Sequence, residues 1–173
     1  MKQFTTSALL LFIVLLTGSC KKIPVIEVTN AIISFKMDGV YKEAKGIKNV
    51  FAVYVKEEKI IQVIGNLSGG QSIGITIADF HGVGEYTVAD EQFLGSFNVS
   101  EDAMTVLGTE GKVKITQFTE GKSIKGEFQF KGETLNIRIG EGDNPDQLPA
   151  EIKTFSEGKF EAKVTAYTGP LME

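Results

Sequence analysis

Gly111 to Lys131 reads GKVKITQFTEGKSIKGEFQFK, and its apolar residues recur at every second position on both sides of a short turn. Val113 and Ile115 lead in, Thr119-Glu120-Gly121-Lys122 turns, and Ile124, Phe128 and Phe130 lead out. Lys112, Lys114, Lys125, Glu127, Gln129 and Lys131 occupy the alternate positions. Side chains of a strand alternate between two faces, so a register slip of one residue would drive these charges into a core. The pattern predicts a β-hairpin with one buried and one solvated face. Phe118 falls out of the phase set by Val113 and Ile115, which predicts a bulge just before the turn.

Segments on either side repeat the pattern. Ile33, Phe35 and Met37 alternate with Ser34 and Lys36, and Asp38-Gly39 then supplies the residue pair that suits a type I′ turn, closing a hairpin through Val40 to Ala44. Phe51, Val53 and Val55 form one face of the next strand; Glu57-Glu58-Lys59 turns it, and Ile61, Val63, Gly65 and Leu67 run back. Tyr54, Ile60 and Ile64 make the second face of this pair apolar too, as in strands covered on both sides. Ser72 to Asp79 reads as a strand, Tyr86 and Val88 belong to a less regular stretch, and Phe93 to Val99 forms an edge strand. A short strand, Ala103 to Leu107, precedes a turn at Gly108-Thr109-Glu110-Gly111. Leu135, Ile137 and Ile139 mark a further strand, residues 140–150 a polar loop, and Phe160, Ala162, Val164 and Ala166 the last strand. Helical spacing is hinted at only over Pro149 to Ser156. The inward set predicted from these runs is Phe35, Val53, Val63, Ile75, Val113, Ile115, Phe128, Phe130, Ile137 and Val164.

Ten to twelve short antiparallel strands in 173 residues define an all-β domain, either a β-sandwich or a flattened, lipocalin-like barrel. The length suits one core, and 19 Gly, 12 Phe, 4 Pro and no Trp agree with many tight turns. A net charge of -4 with no run of Lys or Arg excludes the electrostatic footprint of a nucleic-acid binder.

Ahead of this domain stands a targeting segment. Lys2 supplies a positive start and Ala8 to Leu16, ALLLFIVLL, a short apolar stretch too brief to span a bilayer. Leu16-Thr17-Gly18-Ser19-Cys20 resembles a bacterial lipobox, which implies a signal peptide over 1–19 and acylation of Cys20 as the first mature residue. Cys20 is the one cysteine in the chain. Residues 20–30 then read as a lipidated tether, with Lys21 and Lys22 beside the headgroups and Pro24 discouraging a helix, and the β domain covers 31–169. The lysines after the cysteine favour the periplasmic face over the cell surface.

The stretches FKMDGVYKEAKG (35–46), GVGEYTV (82–88), GKVKITQFTEGKSIKGEFQFKG (111–132) and FSEGKFEAKV (155–164) together resemble a group of uncharacterised Bacteroidetes lipoproteins. The resemblance implies an all-β domain behind a lipid anchor in the cell envelope. It carries no catalytic residues.

Chemical motifs are sparse. Gly65 to Ser72, GNLSGGQS, approaches a phosphate-binding loop, but Gln71 stands where its lysine belongs and a strand follows instead of a helix. His81, the single histidine, lies two residues after Asp79 without any nucleophile signature. Glu141, Asp143, Asn144 and Asp146 gather oxygen donors of the kind calcium takes, though not at EF-hand spacing. Tyr41, Tyr54, Tyr86 and Tyr167 are read as strand residues, not as a sugar platform. The sequence therefore predicts no cofactor, no catalytic residue and a non-catalytic module that binds a small apolar molecule or another envelope protein. The alternative is an envelope hydrolase using a carboxylate pair scattered along the chain.

Overall fold

The computed structural model describes residues 31–99, 104–136 and 150–167. They form ten strands: β1 (Ile32–Met37), β2 (Val40–Lys45), β3 (Val50–Val55), β4 (Ile60–Asn66), β5 (Ser72–Ile77), β6 (Gly84–Thr87), β7 (Phe93–Asn98), β8 (Met104–Thr119), β9 (Ser123–Asn136) and β10 (Ile152–Tyr167). All belong to one sheet in the order β2-β1-β10-β3-β4-β5-β7-β8-β6, and β9 bridges β8 and β10. That bridge closes the sheet on itself into a flattened barrel. Every pairing is antiparallel except β10 with β3, where Lys163 to Tyr167 runs parallel to Phe51 to Val55.

Three strands are long because they cross the whole molecule. One flank of β10 pairs first with β1 and then with β3, and one flank of β8 pairs with β7 and then with β6. The turn expected at Gly108 to Gly111 is instead a bulge inside β8, between Gly108 and Glu110, and Leu135 belongs to the continuous β9. The hint of helix before Ser156 gives way to strand from Ile152, bulged between Phe155 and Gly158 with Glu157 at φ 53°. The bulge expected near Phe118 lies between Ile115 and Gln117. β7 is not an edge strand, since it sits between β5 and β8.

Within the barrel, Phe35, Val63, Ile75, Val113, Ile115, Phe128, Phe130 and Val164 are buried as the alternation predicts. Val53 is not. β3 turns Val50, Ala52 and Tyr54 inward and leaves Phe51, Val53 and Val55 half-buried on the outside. Ile137 lies outside the described residues. Phe35, carried by β1, packs against Phe97, Phe128 and Phe155 with ring centroids 6.0, 6.1 and 5.9 Å away. Phe130 and Phe155 stack at 4.1 Å. Phe80, in the β5–β6 connection, fills another part of the core against Tyr54, Tyr86 and Phe118. The space a ligand-carrying barrel would leave open holds the chain's own aromatic rings.

Candidate functional site: a charged groove on the outer face of β8, β9 and β10

The outward positions of the long strands come into register as a row. Glu85 of β6 lies opposite Lys114 of β8, Lys114 opposite Glu127 of β9, and Glu127 opposite Lys159 of β10. Charge alternates along that row, an arrangement in which each neighbouring pair attracts. Over it opens a groove of about 290 Å³, lined also by Lys112, Gln129, Glu157 and, where Gly158 has no side chain, Phe128. Next to it, and sharing Gln129, a second groove of about 440 Å³ is lined by Glu110, Lys131, Thr154, Ser156 and parts of Phe130 and Phe155.

Each carboxylate lining these grooves has a lysine. Lys112 Nζ donates to Glu85 at 3.0 Å, Lys36 to Glu157 at 2.8 Å, and Lys159 Nζ lies 3.7 Å from Glu127. Lys131 pairs with Glu110. The partners are largely solvated, so each pair contributes at most about 1 kcal/mol and is screened by salt. Lys114 has no ion-pair partner among the described residues.

The single histidine does not enter this face. His81 Nδ1 lies 3.0 Å from the Asp79 carbonyl, and its ring lies 4.9 Å from that of Tyr86. Tyr86 is fully buried; it accepts from the His81 N–H at 3.2 Å and donates to the Gly82 carbonyl at 2.8 Å. Burial pushes its phenol above the ordinary tyrosine value against the pull of those bonds. Ser68–Gly70 forms a short 3₁₀ turn, with Gly69 and Gly70 at φ 72° and 71°, and β5 follows it directly. Gln71 accepts from Lys42 Nζ at 2.9 Å, and that ammonium sits 5.7 Å above the Phe97 ring. Tyr54 and Tyr86 are in the core, whereas Tyr41 and Tyr167 are exposed, so the four tyrosines make no common surface.

Cys20 and the calcium candidates Glu141, Asp143, Asn144 and Asp146 lie outside the described residues. Among the described residues, no three His, Cys, Asp or Glu side chains stand close enough to hold a metal ion, and no helix is long and apolar enough to cross a membrane. Compared with protein-family models, curated proteins and solved structures, the chain matches none.

Sequence reading found the lysines and glutamates of the β8–β9 hairpin as an outward face. It missed Glu85 and Lys159 as their neighbours, because both are brought in by pairing with strands distant in sequence.

Proposed function

We propose that this chain is a cell-envelope lipoprotein, anchored through acyl chains on Cys20, whose β domain binds another envelope protein without catalysing a reaction. The observation that carries the binding part is the alternating row Glu85, Lys114, Glu127, Lys159 beneath an open groove. Such a row offers a partner complementary charges at fixed register, which favours specificity and encounter rate over raw affinity. The aromatic filling of the barrel argues against the small apolar ligand as its occupant. The lipobox-like sequence before Cys20 and the lysines after it support anchoring on the periplasmic side. Changing Cys20 to Ser in the native host and fractionating the cells tests the anchor: the variant leaves the membrane fraction, and a variant as membrane-bound as wild type refutes it.

A second reading rests on the three carboxylates of one groove, Glu85, Glu127 and Glu157, which a hydrolase would use as acid and base. A general acid requires an apolar or like-charged setting, and here each carboxylate faces a lysine and solvent. Glu127→Gln and Glu157→Gln separate the readings. A hydrolytic activity of the wild type that either substitution abolishes establishes the hydrolase, and partner capture weakened by both establishes the binding module.

A further inference from the structure

β3 and β4 present an apolar outer face as well as an apolar inner one. Phe51 lies opposite Ile64 and Val55 opposite Ile60 on the outside, all half-buried, with the half-buried Val53 between them opposite the exposed Gln62. Inner-face alternation is fully accounted for by Val50, Ala52, Tyr54, Ile61, Val63 and Gly65, so this outer stripe is not needed for the core. The chain enters the domain at one end of it. The Ala31 carbonyl accepts from Gly46, which opens the turn carrying Ile47 and Lys48, and Ile32 pairs with Glu161, two residues before Lys163, the partner of Phe51.

Charge is distributed unevenly along the stripe. At the entry end Lys48 and Lys163 have no ion-pair partner among the described residues, and Ile47 is 56% exposed. At the opposite end the β3–β4 turn, Lys56-Glu57-Glu58-Lys59, has both lysines paired, Lys56 with Glu120 and Lys59 with Asp79, which leaves Glu57 and Glu58 as the excess charge there. Ten residues separate Cys20 from Ala31, and the eleven Cα-to-Cα steps reach about 36–40 Å at most. An acyl group on Cys20 therefore keeps the apolar, basic end close to the bilayer, where anionic headgroups attract lysines and repel the acidic end.

We infer that the β3–β4 outer face, entered through Ile47, Lys48, Phe51 and Ile64, is the surface on which the tethered domain rests on its lipid bilayer. This inference depends on the acylation of Cys20 and adds an orientation to it. With β3 and β4 against lipid, the charged groove, built on β6, β8, β9 and β10, is left available to a partner.

The test uses the full chain purified from its host membrane, with acylation of Cys20 first verified by intact mass. Acylation leaves the chain without a free thiol, so Ile47→Cys, Ile64→Cys and Asn98→Cys each carry one fluorescent label. Ile47 is exposed, which keeps that variant folded even if the change at Ile64 is not tolerated. In vesicles of phosphatidylethanolamine and phosphatidylglycerol containing lipid-borne quencher, labels at 47 and 64 are quenched severalfold more than the label at 98 on β7, and added salt reduces the difference. Equal quenching at the three positions on acylated protein overturns the orientation while leaving the anchor intact. Cross-linking of position 47 to a second copy in place of quenching assigns the face to self-association and also overturns it. An unmodified Cys20 removes the anchor and the inference with it.

Discussion

Gly158 lies directly against the face of Phe128, its cross-strand partner: a Cβ placed at 158 would come within 2.6 Å of three ring atoms. The same arrangement recurs where Phe160 lies opposite Gly126. Missing side chains on one strand make room for rings from the next, which lets long, bent strands close around a packed interior. Gly158→Ala forces a buried ring to move and is expected to cost about 1–3 kcal/mol by denaturant unfolding. Combining it with Phe128→Leu gives less than the sum of the two losses; full additivity contradicts the contact.

Phe35 ties the β1–β2 hairpin to the rest of the core through rings on β7, β9 and β10. Phe35→Ala is expected to cost about 3–5 kcal/mol, the usual range for deleting a buried ring. A loss below about 1 kcal/mol in the unfolding free energy would show that the hairpin only covers the barrel.

The two faces of β3 and β4 separate by substitution. Val63→Ser buries a hydroxyl in the core and is expected to destabilise by more than about 2 kcal/mol, whereas Val53→Ser on the outer face costs about 1 kcal/mol or less. Similar losses at the two positions would restore the phase that alternation alone suggests, in which both point inward.

That phase shows where sequence stops being informative. In the β8–β9 hairpin lysine and glutamate mark the solvent face, so register is legible residue by residue. In β3 both faces are apolar and periodicity has no contrast; the choice falls to pairing, where Ala52 and Tyr54 meet Val63 and Ile61. Gly108 and Gly111 read as a turn because glycine usually marks one. Gly111, at φ 141°, instead lies inside β8, where a Cβ would meet the Gln129 carbonyl and the Phe130 backbone on the facing arm of the same hairpin. Likewise, half of the charge row was visible as alternation, while Glu85 and Lys159 become neighbours only through the closed sheet.

Tyr86 predicts alkaline behaviour. Its folded value is raised by burial, so the neutral phenol is favoured by the fold and its contribution to stability is present in full below the unfolded value near 10. It is lost as pH rises from there toward the folded value, because the unfolded chain ionises first. Phenolate absorbance assigned to Tyr86 by difference against Tyr86→Phe is expected to rise together with unfolding. Ionisation near pH 10 in protein that remains folded contradicts the packing of the Phe80, Tyr86 and Phe118 cluster.

The lipid anchor is tested most directly by the intact mass of the chain extracted from its host membrane. The account predicts a mature protein beginning at Cys20, heavier than residues 20–173 by a diacylglycerol group and an additional acyl chain, two or three chains being what stable anchoring requires. A chain that begins elsewhere, or begins at Cys20 with an unmodified thiol, contradicts it.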